Sequence, residues 1–284
     1  MSQKRPMVII KGAGDLATGV AFRLYKCNLD VIMTEISRPL VVRRKVAFAE
    51  AVYDGTVTVE GIKAGLASTV DHALEMLAER TIPVLVDPDA EVIKILHPMV
   101  VVDARVAKCN LGTKIGEAPL VIGLGPGFTA GHDVHAVIET CRGHRLGRII
   151  YSGSAIPNTG SPGTVGGYTV ERLLRAPVEG IVTGTRNIGD LVDKGEVVAF
   201  VGSTPVPAQI SGMIRGMIKE GVRVSGGTKI GDVDPRTDAE YDTVSDKALA
   251  VAGGVLEAVF NIIALPVCSH STSENILKGE INQR

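Results

Sequence analysis

Tryptophan is absent from this chain of 284 residues, and aromatic residues make up only 4% of it. Few aromatic rings leave few platforms on which the bases of a single-stranded nucleic acid stack. An excess of charge is also lacking, since 30 Lys and Arg are matched by 31 Asp and Glu. The net charge of −1 gives no overall field that attracts nucleic acid or an anionic membrane. We therefore expect neither kind of partner.

Cysteine is scarce, and its spacing matches no metal-binding motif. The four cysteines, Cys27, Cys109, Cys141 and Cys268, form no CxxC pair. This pattern excludes a zinc framework and a disulfide scaffold, and it is typical of reduced thiols. Residues 1–7 are polar and run straight into an apolar strand pattern, so the sequence predicts no signal peptide and a cytoplasmic protein.

Long apolar runs are also few, and the one that approaches membrane-span length covers residues 248–267. It contains Glu257, Asn261 and a glycine pair at 253 and 254, and it has no flanking aromatic belt. We expect a buried amphipathic helix here and no membrane span.

Short apolar runs without polar alternation recur through the first half of the chain. The order strand, glycine turn, helix, strand between residues 7 and 35 is that of a βαβ unit. Strands of this kind are covered on both faces, which favours a Rossmann-like α/β domain with a parallel sheet. We place it at residues 1–167, ending in a glycine cluster. The predicted strands contain residues 7–11, 31–33, 84–86, 100–102, 120–122 and 148–151, and a helix is predicted over 69–80.

Residues 168–240 show short strands and frequent glycine turns, which predict a small all-β barrel-sandwich module after a short helix near 169–174. Residues 176–184 match residues 208–216 at a shift of 32 positions. Such an internal repeat is what a pseudo-twofold sandwich requires. Residues 241–284 are assigned to a C-terminal helix and tail.

The strongest local signal is a G-x-G-x-x-A run between the first strand and the first helix. Its glycines permit a tight turn and close approach of a pyrophosphate to the helix N-terminus. Glu35 ends the second strand, where an acidic side chain holds a ribose hydroxyl in dinucleotide-binding domains. A purely structural turn is the alternative, and the charge of Asp15 speaks against a phosphate. The candidate residues are Gly12, Ala13, Gly14, Asp15, Ala17 and Glu35.

Two further loops follow strands of the same predicted sheet. Gly125, Pro126 and Gly127 follow the strand at 120–122, and Asp103 and Lys108 follow the strand at 100–102. Ligands of such sheets bind at the carboxyl ends of the strands. Plain turns and an exposed charged loop are the alternatives.

Lys108 also affects the expected reactivity of a cysteine, because it directly precedes Cys109. A neighbouring cation favours the reactive thiolate form of a cysteine. Cys109 is therefore the best candidate for a reactive thiol, although an inert structural cysteine is the commoner case.

Two other polar groups carry weaker predictions. His132 and His135 share a face, and chelate a metal together, only where the segment is helical; surface histidines are commoner, and we predict no metal site. A basic cluster follows the second strand and suits phosphate, which arginine binds through two parallel hydrogen bonds. We favour a solvated charged face for it. The cluster comprises Arg38, Arg43, Arg44 and Lys45.

Five segments carry a family resemblance: VIIKGAGDLATGVAFRL, TEISRP, VVVDARVAK, GLGPGFTAGHDVHAVIET and SDKALAVAGGVLEA. Together they resemble the selenium-dependent molybdenum hydroxylase accessory proteins of the YqeB type, from about residue 5 to 263. The first domain is also distantly similar to that of xanthine dehydrogenase accessory proteins, which handle molybdenum cofactor and its sulfuration.

The resemblance implies a maturation protein, with no defined reaction. Its ligand would be a dinucleotide or the molybdenum cofactor, held at the first glycine loop and facing Gly125 to Gly127. Its partners would be a molybdenum hydroxylase apoenzyme or other maturation proteins, and self-association as a homo-oligomer stays open.

The β module separately resembles biotinyl/lipoyl domains, which carry a modified lysine on the hairpin between their halves. Here residues 202–207 read GSTPVP and contain no lysine. We therefore expect no covalent biotin or lipoate, and a docking role for the module.

Two other functions stay open. One is an NAD(P)-dependent oxidoreductase, although no Tyr-x-x-x-Lys pair offers a proton donor. The other is a selenium or sulfur carrier acting through Cys109, Cys27 or Cys141.

Overall fold

A nine-stranded sheet dominates the first part of the chain, and the computed structural model describes residues 5–158, 160 and 163–263. The strands up to residue 154 are β1 (Met7–Lys11), β2 (Asp30–Glu35), β3 (Thr56–Val59), β4 (Ile62–Ala67), β5 (Ile82–Val86), β6 (Val100–Asp103), β7 (Leu120–Leu124), β8 (Thr129–Ala130), β9 (Ala136–Ile138), β10 (Ile149–Ile150) and β11 (Gly153–Ser154). The sheet order is β10-β9-β7-β6-β1-β2-β5-β4-β3, and β8 pairs separately with β11.

The central part of this sheet is parallel, as the apolar runs predict. Strands β9, β7, β6, β1, β2, β5 and β4 pair in parallel, whereas β3 and β10 pair antiparallel at the two edges. The predicted strand at 148–151 is therefore corrected: β10 has only two residues and runs against β9. The chain reverses in a short loop after β9, which leaves no room for the crossover that a parallel pair needs.

Helices cover both faces of the sheet, and the core accordingly has two layers. The first helix buries Leu16, Val20 and Leu24 at the predicted spacing of four. The predicted helix at 69–80 is confirmed, and the Thr69 side chain caps it by accepting a hydrogen bond from the His72 N–H. The helices are α1 (Asp15–Lys26), α2 (Ala51–Asp54), α3 (Val70–Ala78), α4 (Val92–Leu96) and α5 (Asp246–Ile263).

The last helix returns to the sheet and packs along α1. The two backbones approach closely, because a Cβ on Gly19 would lie 2.7 Å from the Cβ of Ala248. This confirms the predicted helix as far as Ile263 and its burial as far as Val259, whereas Phe260, Asn261 and Ile262 are exposed. Residues 264–267 of that prediction lie outside the described residues. Among the described helices, none has the length and apolarity needed to cross a bilayer.

Two four-stranded antiparallel sheets form the β module between these parts. Their orders are β12-β19-β17-β14 and β16-β15-β13-β18. The first half of the module supplies β12 to β15 and the second half supplies β16 to β19. Each strand of the first half occupies in one sheet the position that the strand four further along the chain occupies in the other sheet. Each half of the sequence repeat therefore contributes two strands to each sheet. The strands are β12 (Leu173–Arg175), β13 (Gly180–Gly184), β14 (Leu191–Val192), β15 (Val197–Val201), β16 (Thr204–Pro207), β17 (Gly212–Met217), β18 (Arg223–Val224) and β19 (Lys229–Asp234).

Two local predictions in this module are corrected. The helix predicted near 169–174 is one 3-10 turn, Val170–Arg172, because Leu173 already pairs with Asp232 in β12. The hairpin turn expected over 202–207 is confined to residues 202 and 203, because Thr204–Pro207 pairs with β15. Proline is tolerated there since β16 is an edge strand.

Candidate functional site

Strands β1 and β6 lie side by side at the point where the chain order of the sheet reverses. From β1 the chain proceeds to β2 and β5 on one side, and from β6 it proceeds to β7 and β9 on the other. The Gly12 N–H donates to Thr34 O at 2.8 Å, and the Ala104 N–H donates to Lys11 O at 2.9 Å. Open α/β sheets bind ligands at this reversal, outside the carboxyl ends of the strands. The loops after β1 and β6 therefore form the candidate site.

The two glycines of the first loop, Gly12 and Gly14, meet different structural requirements. Gly12 has a φ of +94°, and a Cβ there would lie 3.3 Å from Arg105 atoms. Gly14 has ordinary extended angles at the N-cap of α1, and the nearest atom to its Cβ position is Val41 Cγ2 at 3.8 Å. The fold therefore requires Gly12, whereas a Cβ on Gly14 would make only an ordinary van der Waals contact with Val41.

Glu35 reaches this loop, as its position at the end of β2 predicts. Its Oε2 accepts a hydrogen bond from the Ala13 N–H at 2.9 Å, and its Oε1 accepts one from the Ile36 N–H at 2.8 Å. The carboxylate therefore fixes the glycine loop. Since an ionised carboxylate has about four acceptor positions, a ribose hydroxyl can share it, and the ribose role stays a prediction.

Asp103 lies at the reversal point but is already engaged. Its carboxylate accepts hydrogen bonds from Arg105 Nε at 3.1 Å and from Thr113 Oγ1 at 2.7 Å. Burial acts to raise the pKa of Asp103, but the hydrogen bonds and charge of Arg105, with the Thr113 hydroxyl, outweigh it and hold the pKa below its usual value. The Lys11 ammonium completes the cluster with bonds to Thr113 at 2.8 Å and Glu117 at 2.9 Å.

The sequence analysis missed Lys11, Thr113 and Glu117. A lysine at the end of an otherwise apolar buried strand was the available signal, since a buried ammonium needs partners.

The second glycine loop packs directly on its neighbours. A Cβ on Gly125 would lie 2.5 Å from Thr140 Oγ1, and one on Gly127 would lie 2.7 Å from the Cys109 backbone. Both glycines also have positive φ, +74° and +114°. The loop at 125–127 thus meets the loop after β6, where Lys108 and Cys109 are exposed. The structure brings these two predicted loops together, while Cys268 lies outside the described residues.

The two histidines do not converge. His132 is 85% exposed beside Asp133, whereas His135 Nδ1 accepts a hydrogen bond from the Val121 N–H at 3.0 Å. Burial lowers the pKa of His135, which favours the neutral ring. Within the described ranges, no group of three or more His, Cys, Asp or Glu is arranged to hold a metal ion.

The basic cluster is not the solvated face that the sequence analysis favours, because the β module covers half of it. Arg38 and Lys45 are exposed, but Arg43 and Arg44 are half-buried. Arg44 Nε donates to Met217 O at 2.7 Å, and its Nη1 pairs with Glu50 at 3.1 Å. The strand that covers them lies more than 170 residues further along the chain.

Arg43 lies across this junction from β17, the strand that contains Arg215. Burial and the charge of Arg215 lower the pKa of Arg43, while Asp15, Asp232 and Asp234 act in the opposite direction. The Nε and Nη2 atoms of Arg43 and the Nε of Arg215 are buried and have no hydrogen-bond partner among the described residues. The arrangement brings unsatisfied donors to the neighbourhood of Asp15, at the start of α1.

Two cationic side chains lie near Asp15. Besides Arg43, Asp15 acts on Lys247, whose pKa is lowered by burial and by Arg142 and is raised in part by Asp15. The acidic group that spoke against an anion at this helix N-terminus therefore has two cations in its neighbourhood.

A cavity of about 600 Å³ adjoins Arg215 between the β module and the start of α5. Its volume is within the range of small-molecule sites, about 300–1,000 Å³. Residues from several parts of the chain line it: Arg142, Thr164, Val165, Arg215, Arg236, Asp238, Ala239, Glu240, Thr243, Val244, Ser245 and Asp246.

The chain is a homologue of a curated protein, the uncharacterized protein YqeB of Escherichia coli K12. The two are 51% identical over 258 residues, which cover 90% of this chain and 48% of YqeB. The chain thus spans about half the length of this curated relative. No protein-family model matches the chain. The expected relationship to YqeB is confirmed, and it brings no functional description with it.

Likeness to solved structures is weak. An aspartoacylase family protein from Mesorhizobium loti is 12% identical, with a TM-score of 0.27 over 81% of this chain and 85% of that chain. The ectoine utilization protein EutE from Ruegeria pomeroyi is 10% identical, with a TM-score of 0.25 over 81% and 85%. These scores identify no common fold.

Proposed function

From the five segments that resemble molybdenum hydroxylase accessory proteins and the geometry at the sheet reversal, we propose that this chain is an accessory protein for the maturation of selenium-dependent molybdenum hydroxylases. It binds a nucleotide- or molybdopterin-type ligand at residues 12–17 of a Rossmann-like domain. The observation that carries the proposal is the glycine loop at the reversal point, where a Cβ on Gly14, at the N-terminus of α1, would meet among the described residues only Val41 Cγ2, at 3.8 Å.

The chemistry of this position suits a phosphorylated ligand. The first N–H groups of a helix have no partner within the helix, and the helix dipole favours an anion there. The glycine loop gives close access, Glu35 accepts a hydrogen bond from the loop backbone, and the loop at 125–127 packs on the loop after β6. A molybdopterin dinucleotide carries a pyrophosphate and a ribose, the two groups for which these residue types are arranged.

The β module serves as a docking platform in this proposal. Its two interleaved halves are lipoyl-like, and the turn at residues 202 and 203 has no lysine for a covalent arm. A molybdenum hydroxylase apoenzyme, or another maturation protein, is the partner it receives.

Isothermal calorimetry tests the ligand site with a panel of NAD, ATP, CDP and molybdopterin dinucleotide. We expect Gly14→Val to weaken binding of the recognised ligand by about tenfold or more, because the side chain occupies the space that the pyrophosphate needs. Gly253→Val is the matched control, since it makes the same change on α5 where a Cβ meets no atom within 4 Å, whereas a Cβ on Gly14 lies 3.8 Å from Val41 Cγ2.

Binding that Gly14→Val leaves unchanged would contradict the assignment of the loop. The absence of binding by every panel member would reject the nucleotide-type ligand. Mass spectrometry of small molecules that co-purify from anaerobic, molybdenum-replete cells identifies which ligand the protein carries.

A further inference from the structure

The segment at residues 41–44 connects the glycine loop to the β module. At one end, Val41 is the nearest neighbour of the Gly14 Cβ position, at 3.8 Å. In the middle, Val42 Cγ1 lies 2.7 Å from the position of a Cβ on Gly216 in β17. At the other end, Arg44 donates to Met217 O. Arg43 is therefore fixed between the glycine loop and β17, the strand that contains Arg215.

Acidic residues near Arg43 and Arg215 are already paired with other cations. Asp234 is fully buried and accepts two hydrogen bonds from Arg236, at 2.9 and 2.7 Å, whereas its distance to Arg215 Nη1 is 3.6 Å. Asp232 accepts from Arg172 at 2.9 Å. Asp234 and Asp232 thus make their hydrogen bonds to Arg236 and Arg172, and they give no acceptor to the buried Nε atoms of Arg43 and Arg215.

Buried guanidinium nitrogens without acceptors are costly, and two such groups side by side are costlier still. An anion between them supplies acceptors to both and cancels the repulsion. Phosphate suits this position best, because its oxygens match the fork of N–H groups that each guanidinium presents. A carboxylate supplies only two oxygens to the same pair of forks.

We propose that Arg43 and Arg215 form a phosphate-binding subsite that exists only when the β module is docked on the sheet. The inference rests on the proposed function, because the subsite takes the phosphate of the ligand whose remainder lies at the glycine loop. The β module thereby acts as part of the ligand site, by contributing Arg215, in addition to receiving a partner.

The subsite can be tested with inorganic phosphate and pyrophosphate at constant ionic strength, by calorimetry and by the shift of the unfolding temperature. We expect saturable binding to the unmodified protein, and a dissociation constant raised by about tenfold or more in Arg43→Met and in Arg215→Met. Preference for phosphate over pyrophosphate identifies a terminal phosphomonoester, and the reverse preference identifies a bridging diphosphate.

Two variants serve as controls. Arg223→Met removes an exposed arginine of the same module, which pairs with exposed Glu179, and leaves phosphate binding unchanged. Arg43→Lys retains the charge without the planar fork and restores part of the affinity. Because Asp234 keeps Arg236 as its partner, Arg215→Met folds and decides the question even if Arg43→Met does not.

The outcomes separate this inference from the proposed function. Phosphate binding that depends on both arginines, in a protein that binds no member of the nucleotide panel, supports the subsite and rejects the nucleotide-type ligand. Nucleotide binding with equal affinity in Arg43→Met and Arg215→Met overturns the subsite and leaves the proposed function standing. Failure of the unmodified protein to bind either inorganic anion also overturns it.

Discussion

At the scale of single residues, the crevice at the sheet reversal is shaped by side chains that hold the backbone in place. Glu35 fixes the glycine loop through the Ala13 N–H, and Arg105 lies directly against Gly12 while its guanidinium is bound to Asp103. The loops after β1 and β6 are thus held in position before any ligand arrives. A ligand that binds there needs little ordering of the protein, which favours affinity.

The Asp103–Arg105 pair makes stability depend on pH in a defined direction. The pKa of Asp103 is lowered in the folded protein, so its contribution is fully present above the unfolded pKa of about 3.9 and is lost as pH falls towards the folded value. At neutral pH we expect Asp103→Asn to lower the free energy of unfolding by about 3 kcal/mol, since Arg105 loses its buried partner.

Urea unfolding at pH 7 and at pH 3 checks this prediction. The difference between Asp103→Asn and the unmodified protein should shrink at the lower pH, because the carboxyl is then mostly protonated in the unfolded state and the contribution of the ion pair falls. The exposed Asp242 provides the control, and Asp242→Asn should have little effect at either pH. An equal deficit for Asp103→Asn at both pH values would refute the role of the charge.

Residue positions were predictable from the sequence only where the partner is local. The end of β2 placed Glu35 next to the glycine loop, because adjacent parallel strands end at the same edge. The partial burial of Arg43 and Arg44 was not predictable, since the strand that buries them is distant in sequence. A run of basic residues after a strand has the same local pattern whether solvent or another module faces it.

At the scale of elements, the β module shows how much a repeat can specify. Matching glycines at a shift of 32 residues predicted two equivalent halves, and the two sheets are related by that shift. Element ends were less predictable. The sequence 202–207 contains two prolines, which favour a loop locally, but pairing with β15 makes residues 204–207 a strand.

The hairpin between the halves leads to a prediction about covalent modification. Its turn lacks lysine, and Lys194 and Lys219 lie within the two halves, between β14 and β15 and between β17 and β18. We therefore expect no biotin or lipoate on the protein, even in cells rich in the attaching ligases. Intact-mass measurement decides the matter: a mass increase that matches either group on a lysine of residues 176–235 would make the protein an acyl or carboxyl carrier.

At the scale of the whole molecule, charged groups and helix contacts join the parts. Lys219 of the β module pairs with Asp54 at 2.7 Å and with buried Glu50 at 3.3 Å, and α5 lies along α1. The sheet is thus covered by a helix that follows the β module in the chain. Composition and periodicity predicted that helix, but they gave no indication of the face it covers.

The contact between α1 and α5 can be tested through Gly19. We expect Gly19→Val to lower the free energy of unfolding by about 1–3 kcal/mol, because its Cβ would lie 2.7 Å from the Cβ of Ala248 and force the helices apart. Gly253→Val makes the same change on α5 where no atom lies within 4 Å, and it should cost less. Equal losses of stability in chemical denaturation would show that the two helices do not depend on this close approach.

The return of α5 to α1 also has a consequence during synthesis on the ribosome. The apolar face of α1 is complete at Lys26, but the helix that covers it begins only at Asp246. At a translation rate of about 5–20 residues per second, that face stays uncovered by α5 for roughly 10–45 s. The nascent chain is therefore a natural client for a chaperone that binds exposed apolar helices, and slow codons in the stretch that encodes the β module would lengthen its exposure.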